Sequence, residues 1–141
     1  MHTSLAAVIR LQRWQVDTER RSVNEADAAL RAIEAALDVL ARTCEAERRH
    51  ASASIETSFA FAAFLGRTRL RRQALEEQRI EAAACLEAAR ARLATAYREQ
   101  RKFELAEAEQ RRRAAAEQAK KDQQALDEMA INQQLRRRSG N

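Results

Sequence analysis

The chain contains no proline and only two glycines, Gly66 and Gly140, in 141 residues. Proline breaks helices by removing an amide donor and crowding the preceding turn, and glycine frees the backbone for tight turns. Scarcity of both excludes a turn-rich fold. Aromatic residues make up only 4% of the chain, too few large side chains to fill a broad globular core. The two cysteines, Cys44 and Cys85, belong to no Cys-x-x-Cys or Cys/His cluster, so neither a zinc site nor a redox pair is expected, and each reads as a small packing residue. No stretch approaches 18 uncharged apolar residues, and the apolar run at the start is broken by Arg10. Neither a membrane span nor a secretory leader is expected, and the chain reads as cytoplasmic.

What the chain has instead is alanine and charge. Hydrophobic residues make up 45% of it and 32 alanines supply half of those, while 33% of residues are charged. This is the composition of a long helix or coiled coil whose thin seam is the only dry region. The net charge of +5 is spread over interleaved Arg and Glu that can pair at i,i+4 on solvated faces.

The seams can be read directly. Ile9, Val16, Val23, Leu30, Leu37 and Cys44 recur every seven residues, with Ala26, Ile33 and Leu40 between them. In the second half Leu75, Ala82, Ala89, Ala96 and Phe103 form another ladder, with Leu86 and Leu93 interleaved. Both are a/d patterns of a coiled coil. Pairing Leu5 with Phe103 and Cys44 with Phe64 gives a common centre near residue 54, and it sets Cys85 opposite residues near 23. His50-Ala51-Ser52-Ala53-Ser54 suits a turn there, with Ser52 or Ser54 as a helix cap and Glu56 nearby. A turn at Gly66 is the rival, but it would set half of the first seam against residues 106–125, where every apolar residue is alanine. The expected architecture is all-α: an elongated, single-domain antiparallel two-helix coiled-coil hairpin, with helix 1 over about 3–49, the turn over about 50–57 and helix 2 over about 58–138. Gly66 then lies inside helix 2, at a cost of about 1 kcal/mol relative to alanine.

In this register helix 2 outruns helix 1. About 30 residues from near Glu104 onward are expected to lack a covering helix, although a lone polar helix is marginal in water. This stretch holds Arg111-Arg112-Arg113 and Lys120-Lys121, and large apolar residues return only at Leu126, Met129, Ile131 and Leu135.

The chemistry of catalysis is thinly represented. His2 and His50 fall near a terminus and the turn, no glycine-rich loop could cradle phosphate, and acid pairs such as Glu76-Glu77 and Asp127-Glu128 read as solvated helix faces. A non-enzyme without metal or cofactor is expected. The arginine triplets 111–113 and 136–138 could meet phosphate, yet Glu104, Glu107, Glu109 and Glu117 dilute the first, and no aromatic residue follows Phe103 to stack on bases. Nucleic acid is therefore not the expected partner. Among Phe59, Phe61 and Phe64, positions 59 and 61 lie about 200° apart on a helix, so at least one should be exposed or cover the turn. Trp14, off the ladder, reads equally as flanking packing or a surface anchor.

Residues 122–130, Asp-Gln-Gln-Ala-Leu-Asp-Glu-Met-Ala, followed by Arg136–Arg138, resemble the C-terminal signature of the flagellar export protein FliJ family. Tyr97-Arg98-Glu99-Gln100-Arg101-Lys102 is similar to that family's aromatic, basic run in the second helix, and Phe61 with Phe64-Leu65 stands where the family tends to carry an apolar pair. The resemblance covers the whole chain in length and architecture, but its specific part is short. The alanine enrichment and Gly66 depart from the pattern.

The resemblance implies a stalk similar to the central shaft of rotary ATPases, entering a hexameric export ATPase. It also implies contacts with the export gate membrane protein and with export chaperones, at the cytoplasmic side of the inner-membrane export apparatus. On that basis Arg111, Arg112, Arg113, Lys120, Lys121, Leu126, Asp127, Glu128, Met129 and Ala130 are the expected contacts with the ATPase ring. Phe61, Phe64 and Leu65 are the expected gate or chaperone contacts. The chain is expected to be monomeric when free and not to insert into the membrane. The alternatives are the related stalk of a virulence type III secretion system, a nucleic-acid-associated coiled coil, and a structural coiled coil that self-associates.

Overall fold

The computed structural model describes residues 4–51 and 54–140. It is all-α, with α1 over Leu5–Ala51 and a longer α2 over Ile55–Ser139. Two compact units share these helices: one comprises Arg13–Tyr97, the other Met1–Gln12 with Arg98–Asn141.

Within Arg13–Tyr97 the helices form an antiparallel hairpin, built on the two ladders. Val16 is buried, and Val23, Leu30, Leu37 and Cys44 are half-buried, as are Ala26, Ile33 and Leu40. On α2, Leu75, Leu86, Ala89 and Ala96 are buried and Ala82 and Leu93 half-buried. Thr68 is buried too, which extends the seven-residue ladder one step upstream of Leu75. Its hydroxyl disguises it in a search for apolar periodicity. No buried side-chain polar atom among the described residues lacks a hydrogen-bond partner. The seam is narrow because alanine fills three of these seven α2 positions; each buried leucine contributes on the order of 1.5–3 kcal/mol and each alanine much less.

Both helices begin with a serine cap. The Ala7 amide donates to Ser4 Oγ at 3.2 Å. At α2 the bonding is reciprocal, with the Thr57 amide donating to Ser54 Oγ at 3.2 Å and the Ser54 amide to Thr57 Oγ1 at 3.0 Å. Thr57 thus takes the place that Glu or Gln holds in a capping box. Ser58 Oγ donates to the Ala51 carbonyl at 2.9 Å, so the first turn of α2 also closes the last carbonyls of α1. Helical residues consequently occupy much of the 50–57 stretch expected as turn, and Thr57, not Glu56, completes the cap; Ser52 lies outside the described residues.

The pairing is displaced about one helical turn from the expected register. Cys85 lines an open groove with Ala26, Ala29 and Ile33 instead of facing residues near 23. Phe64 lines another with Glu47 and His50, three and six residues beyond the expected partner Cys44. Arg92 reaches Glu19 and Ser22, each at 3.2 Å. An a/d ladder looks nearly the same after a slip of three or four residues, so apolar spacing could not choose between the two registers. The Ser54 cap and the Ser58 bond to Ala51 choose for it. Cys44 and Cys85 are free thiols.

In the second unit, Leu5 lines a groove with Ala106, Glu109, Gln110 and Arg113, again about one turn beyond the expected partner Phe103. Ile9 is buried, Phe103, Glu104, Glu107 and Glu109 are half-buried, and every described residue from Gln110 onward is exposed. The uncovered stretch therefore starts near Gln110, later than the expected Glu104, because the register carries the start of α1 one turn farther along α2.

Candidate functional site

From Gln110 to Ser139 every residue of the helix is exposed, with Leu5 lining only its first turn, so the helix must be held by bonds among its own side chains. A ladder of local bonds does this. Arg111 pairs with Glu107, and Glu109 receives both Arg112, at 2.7 Å, and Arg113, at 3.0 Å. Gln118 donates to Asp122 and Gln123 to Asp127, each at 3.0 Å. Pairs of this kind stabilise a helix by about 0.2–0.5 kcal/mol each, enough in sum to offset part of the missing tertiary packing. The two arginine bonds, that from Arg112 first, hold the Glu109 carboxyl below the usual carboxylate range. Three further arginines, Arg136–Arg138, sit in the last turn, where positive charge complements the exposed carbonyls of the helix end.

The structure distributes the expected ATPase contacts along this stretch. Arg111, Arg112 and Arg113 are exposed but already paired with glutamates on their own helix, whereas Lys120 and Lys121 form no ion pair among the described residues. Leu126 and Met129 are 56% and 60% exposed. Three residues apart, they share a face, with Ala130 beside them. Asp127 lies at one edge of that face, while Glu128 shares the other side of the helix with Ile131 and Leu135, also exposed. The result is a slim rod with an apolar strip edged on one side by Asp127, followed by bases.

Phe61, Phe64 and Leu65 lie elsewhere, in the hairpin near its cap. All three are half-buried, and the Phe61 and Phe64 rings stack with centroids 6.4 Å apart. The pair lines a groove with Glu47, His50, Ala51 and Thr57. Phe59 instead points outward, 79% exposed, as the 200° separation requires. Trp14 is 59% exposed. Tyr97, at the far end of the same unit, accepts a hydrogen bond from Arg20, whose guanidinium lies 5.7 Å from the ring centroid. Periodicity alone gave no signal for this polar link between the helices. No group of three or more metal-ligating side chains occurs among the described residues, and no helix there is long and apolar enough to cross a membrane.

Residues 1–139 match the protein family described as Flagellar FliJ protein. The chain belongs to the FliJ family. The match takes in both helices almost entirely, and with them the uncovered stretch from Gln110 and its 122–130 signature. No curated protein and no solved structure matches the chain. Membership carries a role related to flagellar protein export, in a family of non-catalytic export proteins, and association with the flagellar export apparatus.

Proposed function

We infer that this FliJ-family chain is the central-stalk subunit of a flagellar export ATPase complex, its bare α2 end entering the ATPase hexamer. Leu126, Met129 and Ala130 supply the apolar contact there, with Asp127 and Glu128 fixing its orientation through polar groups of the ring. Lys120 and Lys121 meet acidic groups of the pore directly, and Arg111, Arg112 and Arg113 do so by exchanging the glutamates they now hold. Phe61, Phe64 and Leu65 serve the export gate or a substrate chaperone, from the cytoplasmic side of the inner membrane.

One observation carries this reading: residues 110–139 remain helical with every side chain exposed, and they end in Leu126, Met129, Ile131 and Leu135, each 56–60% exposed. Large apolar side chains so placed on a lone helix gain nothing from the chain itself, and a partner that surrounds the helix would bury them. Alanines on the intervening turns keep the rod thin and its contacts weak, as suits a shaft that must not lock in one rotational position.

The test is to mix the full chain with its cognate export ATPase and measure ATP turnover. Wild type should raise it, and Asp127→Ala with Glu128→Ala should blunt the rise while leaving the helical content unchanged. An equal response from the variant would contradict the assignment.

A further inference from the structure

The first five turns of α2 carry a surface that the stalk role does not use. Residues 48–72 hold six arginines, no lysine and one acid, Glu56, for a net charge of +5. The whole chain also has a net charge of +5; the rest of it therefore balances, twenty bases against twenty acids. Arg67, Arg69, Arg71 and Arg72 are exposed and form no ion pair among the described residues, unlike the arginine triplet 111–113. The next acid after Glu56 is Glu76.

The same segment shows the three most exposed large apolar side chains among the described residues: Ile55 at 82%, Phe59 at 79% and Leu70 at 69%. With Ala62 and Gly66 they fall at intervals of four, three, four and four residues, the spacing of one helix face. That face points away from buried Thr68 and the stacked Phe61 and Phe64, which look toward α1. A Cβ built on Gly66 meets nothing within 4 Å, so packing within the chain does not explain the missing side chain. At about 100° per residue, Arg67 and Arg69 lie on opposite sides of the apolar strip, roughly 80° from Phe59.

We propose that this outer face of α2, centred on Phe59, docks on an anionic lipid surface. An apolar strip with Phe and Ile, flanked on both sides by uncompensated arginines, is the pattern of a helix that lies in the plane of a membrane interface. Its apolar side chains enter the headgroup boundary while the arginines meet lipid phosphates. The helix rests on the surface and does not span it. A second protein helix would also cover the strip, but four arginines, Arg67, Arg69, Arg71 and Arg72, against the one acid Glu56 over residues 55–72 fit a dense field of phosphates better than a mixed-charge coil. This placement does not depend on the stalk assignment, which concerns residues 110–140.

The experiment is sedimentation of the full chain with two kinds of vesicle, phosphatidylcholine alone and a two-to-one mixture with phosphatidylglycerol, at about 0.1 M salt. The mixed vesicles should bind it roughly tenfold or more tightly than the neutral ones. Arg67→Gln and Arg69→Gln should weaken that binding by roughly fivefold each. Phe59→Ser, and separately Ile55→Ser, should weaken it with no fall in melting temperature, since both side chains are already in solvent. Neutralising Arg136, Arg137 and Arg138 together should leave it unchanged. Absence of binding to the mixed vesicles would overturn the proposal. So would an equal loss from the 136–138 variant, which would mean a general attraction of basic protein. A rise in mass on concentration that Phe59→Ser abolishes, without vesicle binding, would assign the face to a second copy instead.

Discussion

Residues 68–96 and residues 110–139 belong to the same helix and are written in the same alphabet of Ala, Glu, Arg, Gln and Leu, yet one is a seam and the other is bare. The difference is where the large apolar residues fall. In the first stretch Thr68, Leu75, Ala82, Leu86, Ala89 and Ala96 return on one face every three, four or seven residues, opposite the ladder of α1. In the second, continuing that ladder from Phe103 gives Gln110, Glu117 and Gln124, and Leu126 and Met129 sit on a different face. Composition sets the helix, and phase decides whether anything of its own covers it. The bare stretch keeps its form through local ion pairs, at a few tenths of a kcal/mol each, where the seam uses buried leucine.

The most severe way to test this contrast is to truncate one leucine in each stretch. Leu86→Ala, at a position 4% exposed, should lower unfolding free energy by about 2–4 kcal/mol in urea titration. Leu126→Ala should change it by less than about 0.5 kcal/mol. Enlarging a small residue sharpens the same point: Ala89→Leu, at 1% exposure, should overpack the narrow seam and cost about 1–3 kcal/mol, while Ala115→Leu on the bare stretch should be close to neutral by the same measurement.

Two smaller effects probe the cap and the outer face of the hairpin. Ser54→Ala removes the reciprocal bonds with Thr57 and should cost about 1 kcal/mol in thermal unfolding. Gly66→Ala should add about 0.5–1 kcal/mol, because a methyl group there meets open space and alanine loses less backbone freedom than glycine.

The smallest effect belongs to the bare stretch and depends on pH. Glu109 is held below the usual carboxylate range, first by the hydrogen bond from Arg112 and then by that from Arg113. A carboxylate with a lowered folded-state pKa stabilises the helix above its unfolded-state value, and that contribution is lost as the pH falls through the folded-state one. An NMR titration of the Glu109 carboxyl should therefore show a midpoint on the acid side of an ordinary glutamate, and Arg112→Gln should move it back up.

Much of this was legible in the residues. Seven-residue spacing from Ile9 to Cys44 and from Leu75 to Phe103 disclosed both seams, and lack of proline disclosed the length of the helices. The register was legible only to within a turn, because ladders of leucine and alanine look alike after a slip of three or four residues. What fixes it is polar and local: the Ser54–Thr57 cap and the Ser58 bond to the Ala51 carbonyl, which periodicity does not see. Thr68 was missed for the same reason, since a residue with a hydroxyl can fill a seam position with its methyl group. The 122–130 signature could be read as a family resemblance, but the state of the arginines could not: Arg111–Arg113 have acids one turn away and Arg67, Arg69 and Arg71 do not, while Arg72 goes without because Glu76, four residues on, bonds Arg79 instead.

The claim that function resides on the bare end of α2 is tested most directly by weighing the export ATPase assembled with three forms of the chain: wild type, Leu126→Ser with Met129→Ser, and Ile80→Ser. Ile80 is as exposed as the other two, at 63% against 56% and 60%, but lies on the covered stretch. All three forms should melt alike. Wild type and Ile80→Ser should promote the hexamer, and the double variant should leave the ATPase in smaller species. Equal hexamer formation by the double variant, or an equal loss with Ile80→Ser, would contradict it.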